Sequence, residues 1–187
     1  MSERLVLGLS GNPGSGKSTI GTYLAYRHGF RVFEGSSIIR AEAQSQGLEL
    51  RDRIDYDIFY RATQQRLGKA WLSDILLSST ADRLVQVGLP DKDDAQNLKR
   101  NGGIVIALVC PLEICFGRVD KTDAKNKPTL EEFIEMENDQ RSNDDFGSHT
   151  DWVIENATHS IDASQSLPLV QLALSKIVAY HAAGQQM

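Results

Sequence analysis

With 187 residues, 41% of them hydrophobic and 24% charged, the chain has the size and composition of one globular domain around a single core. A net charge of -5 excludes the broad basic face of a general nucleic-acid binder, and leaves only local positive charge for a small anionic ligand. Cys110 and Cys115 lack metal-ligand or disulfide-framework spacing, and the first apolar run, Leu5 to Leu9, is too short for a signal core or a membrane span, so a cytoplasmic protein is expected.

Leu5-Val6-Leu7-Gly8-Leu9 is apolar on both faces, as a strand buried between helical layers must be. A glycine-rich turn follows. Ile20, Tyr23 and Leu24 then carry helical spacing as far as Gly29, and Phe30-Arg31-Val32-Phe33 reads as a second strand. From Glu34 to Ser79 the pattern is helical throughout: Ser37 to Ala41 running on to Gly47, an amphipathic segment from Tyr56 to Leu67, and Ala70 to Leu77. Strands return at Leu84 to Val87 and Ile104 to Val109, separated by a short helix that Gly102-Gly103 ends.

Pro111 opens a helix over Leu112 to Val119, and Asp120 to Lys127 reads as a polar loop. Thr129 and Glu132 form a capping box at the head of a helix that runs through Arg141. Trp152-Val153-Ile154 is expected to be a last short strand. Leu167 to Ala183 is a C-terminal helix with Leu169, Leu172, Ala173, Ile177 and Tyr180 on its apolar side. This alternation implies an α/β fold, a mostly parallel sheet covered on both faces.

Gly11-Asn12-Pro13-Gly14-Ser15-Gly16-Lys17-Ser18 satisfies G-x-x-x-x-G-K-[ST], between a predicted strand and a predicted helix as the chemistry requires. Gly11, Gly14 and Gly16 let backbone N–H groups turn inward, and Asn12, Ser15 and Thr19 complete the loop and the positive first turn of the helix. Lys17 is placed to reach the β and γ phosphates of ATP or GTP, and the Ser18 hydroxyl to ligate Mg²⁺.

With that loop in place, Gly35-Ser36-Ser37-Ile38-Ile39-Arg40 resembles the T/S-G-D-L-L-R segment of nucleoside monophosphate kinases. Val87-Gly88-Leu89-Pro90 resembles their D-G-F-P stretch, and Asp151 to Asn156 is similar to the A-D-Y-V-I-x-N segment of dephospho-CoA kinases and adenylate-kinase-like proteins. The resemblance implies a three-layer P-loop NTPase fold with a five-stranded parallel sheet, whose core spans about 1–33, 81–118 and 149–187. It further implies an acceptor-binding helical insertion at about 34–80, a lid at about 119–148, and transfer of the ATP γ-phosphoryl to a small nucleotide-like acceptor. Ser37 and Arg40 would then hold the acceptor, Lys17 and Arg118 the transferring group, and Arg118, Lys121 and Arg141 the lid, while Asn156 would read the adenine edge or cap a turn.

Four departures qualify that resemblance, two of them Ser37 in place of the acceptor segment's aspartate and the lack of a second lid arginine after Arg118. Val87 stands where D-G-F-P has its aspartate, and Asp91 where an arginine often follows. Asp52, Asp55 and Asp57 could replace a missing carboxylate or form a solvated turn beside Arg51 and Arg53. The sequence therefore leaves a small-molecule kinase against two alternatives, a degenerate nucleotide-binding regulatory protein and a partner-coupled hydrolase.

Overall fold

The computed structural model describes residues 4–51, 53–119, 129–142 and 149–184. Its centre is β1 (Leu5–Ser10), every residue of which is buried. Lys17–His28 forms α1, stopped by Gly29 in a left-handed conformation, and the chain returns as β2 (Arg31–Glu34). Three helices follow: α2 (Gly35–Ser45), α3 (Arg53–Leu67) and α4 (Trp71–Leu77). Then come β3 (Arg83–Val87), α5 (Lys92–Arg100), β4 (Ile104–Val109) and α6 (Leu112–Arg118). The chain ends with α7 (Leu130–Ser142), α8 (Thr150–Glu155), β5 (His159–Asp162) and α9 (Leu167–Ala182).

The five strands form one sheet in the order β2-β3-β1-β4-β5, and every pairing is parallel. Alternate side chains of β1 feed opposite layers. Leu5, Leu7 and Leu9 pack with Ile20 and Leu24 of α1 and with Val170, Leu174 and Val178 of α9, whereas Val6 packs with Leu98 of α5 and Val153 of α8. A third cluster lies apart from the sheet: Ile39 and Ala43 of α2, Phe59 and Tyr60 of α3, and Trp71 and Leu72 of α4. That separate small core is why residues 35–77 hold together as a helical layer beside the β2 edge.

The capping box forms as read, with the Thr129 N–H donating to Glu132 Oε2 at 2.6 Å and the Glu132 N–H to Thr129 Oγ1 at 3.2 Å. Two readings are corrected. Trp152 to Ile154 lies in α8, and the last strand is the polar segment His159–Asp162. Three apolar residues cannot separate a strand from one helical turn, and on an edge strand only Ile161 needs to be buried. In α9 the stripe facing the core is Val170, Leu174 and Val178, while Leu169 and Leu172 are exposed. That helix is apolar on more than one side, so spacing alone did not fix its rotation.

Candidate active site

The loop between β1 and α1 lies at the carboxyl end of the central strand, where the connection from β1 to β2 and that from β3 to β4 leave for opposite sides and open sheets form their ligand crevices. Gly14 and Gly16 have φ of 81° and 95°, and the Ser15 N–H donates to Asn12 O at 3.0 Å. Lys17 Nζ donates to Gly11 O at 2.6 Å and to Asn12 O at 2.8 Å, folding its ammonium over the loop. Ser15 Oγ is buried without a hydrogen-bond partner among the described residues. An unsatisfied hydroxyl in a ring of inward-turned amides suits the oxygens of a polyphosphate. Ser18 and Thr19 occupy the exposed first turn of α1, where the helix dipole adds positive potential.

A carboxylate stands on the neighbouring strand, level with Val87. Glu34, the last residue of β2, is in register with Val87, the last residue of β3. Burial raises the Glu34 pKa, while a hydrogen bond from Ser18 and the charge of Lys17 pull it back down. A partly buried acid therefore meets the P-loop hydroxyl and lysine that the sequence motif supplies. Val87 itself is buried against α1, since a Cβ on Gly21 would come within 2.5 Å of Val87 Cγ2.

A cleft of about 660 Å³ extends from this loop to the helical layer. Gly11, Pro13, Lys17 and Ser18 line one end, Glu34, Gly35 and Ser36 the middle, and Arg40, Arg51, Tyr56, Asp57, Tyr60 and Arg61 the other. The guanidinium of Arg40 lies 6.0 Å from the centre of the Tyr56 ring, and Arg51 Nε pairs with Asp55 Oδ2 at 3.3 Å. The cleft thus has a phosphate end and an arginine-rich end, with an acid between them.

The structure brings only some of the expected residues together. Lys17, Ser18 and Arg40 share the cleft, but Ser37 is exposed outside its lining and Ser36 takes that place. One residue is a 100° turn on α2, which a segment match cannot resolve. Arg118 Nη1 donates to Ala163 O at 2.7 Å and touches Cys110 Sγ at 3.7 Å. It ties α6 to the loop after β5 and is not among the described residues that line the cleft. Asn156 caps α8, its side-chain amide donating to Trp152 O at 2.8 Å and its backbone carbonyl accepting from Lys99 Nζ at 3.0 Å. Because it precedes β5, it stands at the amino end of the sheet, away from the P-loop.

Lys121 lies outside the described residues, and Arg141 is in α7. Asp91 caps α5, accepting from the Asp93 N–H at 2.9 Å, and pairs with His149 Nδ1 at 3.1 Å. Sequence reading missed Glu34, Ser36 and Arg61, and left Asp57 between a carboxylate role and a solvated turn. A signal for the α3 pair existed, because Tyr56, Asp57, Tyr60 and Arg61 recur at helical spacing as one polar-aromatic face. Nothing local marked Glu34, whose meaning depends on strand register.

Comparison with known proteins follows the same lines. Residues 10–135 match the family model described as an AAA domain. A shikimate kinase of Persephonella marina (strain DSM 14350 / EX-H1) is 33% identical over 135 residues, covering 68% of this chain and 77% of that protein. Among solved structures, the shikimate kinase of Aquifex aeolicus superposes with a TM-score of 0.58 at 17% identity, over 97% of this chain and 100% of its own. A gluconokinase of Sinorhizobium meliloti 1021 gives a TM-score of 0.50 at 16% identity, over 97% and 99%. No helix among the described residues is long and apolar enough to cross a membrane.

Proposed function

The chain is a P-loop kinase of the AAA domain family, and on that premise we propose that it transfers the γ-phosphoryl group of ATP to a hydroxyl of a small hydroxylated carboxylic acid. The acceptor class is that of shikimate or a sugar acid. The observation that carries this reading is the single cleft joining the phosphate loop to Arg40, Arg51 and Arg61 across Glu34. Guanidinium groups bind carboxylates in a bidentate fork, so the arginine end suits the acid group while the acceptor's hydroxyl faces Lys17. The P-loop kinase relative named shikimate kinase supports the same acceptor chemistry.

Phosphoryl transfer asks little covalent chemistry of the protein, and the residues present meet its needs through positioning and charge. Lys17 would leave the loop carbonyls for the β and γ phosphates, and the Ser15 hydroxyl would gain the partner it lacks. Ser18, backed by Glu34, would hold Mg²⁺, which neutralises phosphate charge when bound. Arg40, Arg51 and Arg61 orient the acceptor. The expectation of a binding-only protein rested on the absent aspartate at Val87 and on a lid poor in arginine, and Glu34 beside Ser18 answers the first of these.

A nucleotide-like acceptor is the second reading, favoured by the Tyr56 ring beside Arg40, which could stack on a base next to a phosphate. A panel of shikimate, gluconate, nucleoside monophosphates and dephospho-CoA, each given ATP and Mg²⁺, separates the two. Acceptor-dependent ADP release is expected with a hydroxy acid. Turnover confined to the nucleotides would transfer the assignment to the second reading, and ATP loss indifferent to every acceptor would defeat both.

A further inference from the structure

The acceptor half of the cleft is backed by a buried carboxylate. Asp94, on α5, is fully buried; its Oδ2 accepts a 2.6 Å hydrogen bond from the Tyr60 hydroxyl of α3, and its Oδ1 accepts the Ser73 N–H of α4 at 2.8 Å. The second bond has a specific purpose. α4 is only seven residues long and begins after Ala70, which offers no side-chain cap, so the Ser73 N–H in its first turn has no partner within the helix. Asp94 therefore caps α4 from another element. Asn97, also on α5, reinforces the joint by donating to Ser73 Oγ at 2.9 Å and Asp74 Oδ1 at 2.8 Å, and Gln64 donates to the Tyr60 hydroxyl at 3.3 Å.

One acid thus joins three helices, and neither of its oxygens meets a cation among the described residues. A carboxylate buried this way is costly, and a well-packed apolar group would stabilise the core at least as well. Directional bonds fix orientation, which apolar packing does not. Tyr60 is flanked on its own helical face by the cleft residues Asp57 and Arg61, so the bond that fixes the Tyr60 ring also fixes the direction in which those two side chains enter the cleft. The Tyr60 and Trp71 rings, 5.9 Å apart, complete the joint between α3 and α4.

We propose that Asp94 is a positioning residue for the acceptor: through Tyr60 it sets the placement of α3, and with it the Asp57 and Arg61 face of the cleft. The inference rests on the proposed function for the identity of what enters that face. Asp94 touches neither acceptor nor phosphate and acts only through the helix it anchors.

The test uses the full chain with Asp94→Asn and Tyr60→Phe, the latter deleting a single oxygen and keeping the ring. With ATP saturating and acceptor varied, both variants are expected to raise the acceptor KM roughly five- to tenfold, the equivalent of about one lost hydrogen bond, with kcat and the KM for ATP changing less than twofold. Amide exchange of α3 in the ATP-bound protein should quicken in both variants while β1 and β4 stay protected. If Asp94→Asn does not fold, Tyr60→Phe decides alone. An unchanged acceptor KM, or an equal loss for ATP and acceptor, overturns the inference. If the wild type turns over no acceptor, the proposed function fails by itself, and exchange still decides: faster α3 exchange supports the positioning role and unchanged exchange refutes it.

Discussion

Replacing Gly14 by Ala, with Gly16→Ala as the internal control, separates two costs that the P-loop combines. Both glycines have positive φ, at 81° and 95°, so either alanine carries the left-handed penalty of roughly 1–2 kcal/mol. At Gly16 nothing lies within 4 Å of the new methyl, and that penalty is the whole expected loss in the nucleotide-free protein. At Gly14 the methyl would stand 2.2 Å from the Cys115 carbonyl oxygen and 2.8 Å from its carbon. Both are backbone atoms of α6 that no rotamer change can move. Forcing loop and helix apart adds an overpacking cost of about 1–3 kcal/mol, for a total near 2–5 kcal/mol. Urea unfolding without nucleotide would measure the difference, with an unchanged m-value confirming that the fold is retained. Equal losses for the two variants would refute the claim that α6 supports the loop through Gly14.

Three further outcomes follow from the same geometry. Lys17→Ala should weaken ATP binding by calorimetry about 10- to 150-fold, since a charge-assisted contact is worth roughly 1.5–3 kcal/mol. Val87→Asp, which restores the motif's aspartate, should not raise turnover; it should destabilise the protein by about 1–3 kcal/mol in denaturant, because the position is buried and Glu34 already faces Ser18. Burial raises the Asp94 pKa from 3.8 to about 6, so between those values the folded state holds a proton that the unfolded state has released. Wild-type stability, full below the lower value, should therefore fall relative to Asp94→Asn as pH rises through about 6, by up to about 3 kcal/mol, in melts taken from pH 4 to 7.5.

Much of this architecture could be read from residue order because local signals agreed with the global fold. β4 occupies the six apolar residues expected, and Thr129 and Glu132 bond as their spacing requires. α1 ends where Gly29 takes the left-handed conformation. The failures occur where tertiary context decides. His159–Asp162 is polar enough to resemble a loop and becomes a strand only because Ile106 to Val109 offers it an edge. Glu34 acquires its role from alignment with Val87, and Asp94 from a tyrosine 34 positions earlier. Such long-range pairings leave no periodicity in sequence.

Where the γ-phosphoryl group of ATP goes is the most direct test. Purified protein incubated with ATP, Mg²⁺ and shikimate or a sugar acid, and followed by phosphorus NMR, should yield a new phosphate ester in step with ADP, and Arg61→Ala should slow its formation without weakening ATP binding. Inorganic phosphate alone, released at the same rate with and without acceptor, would contradict the account.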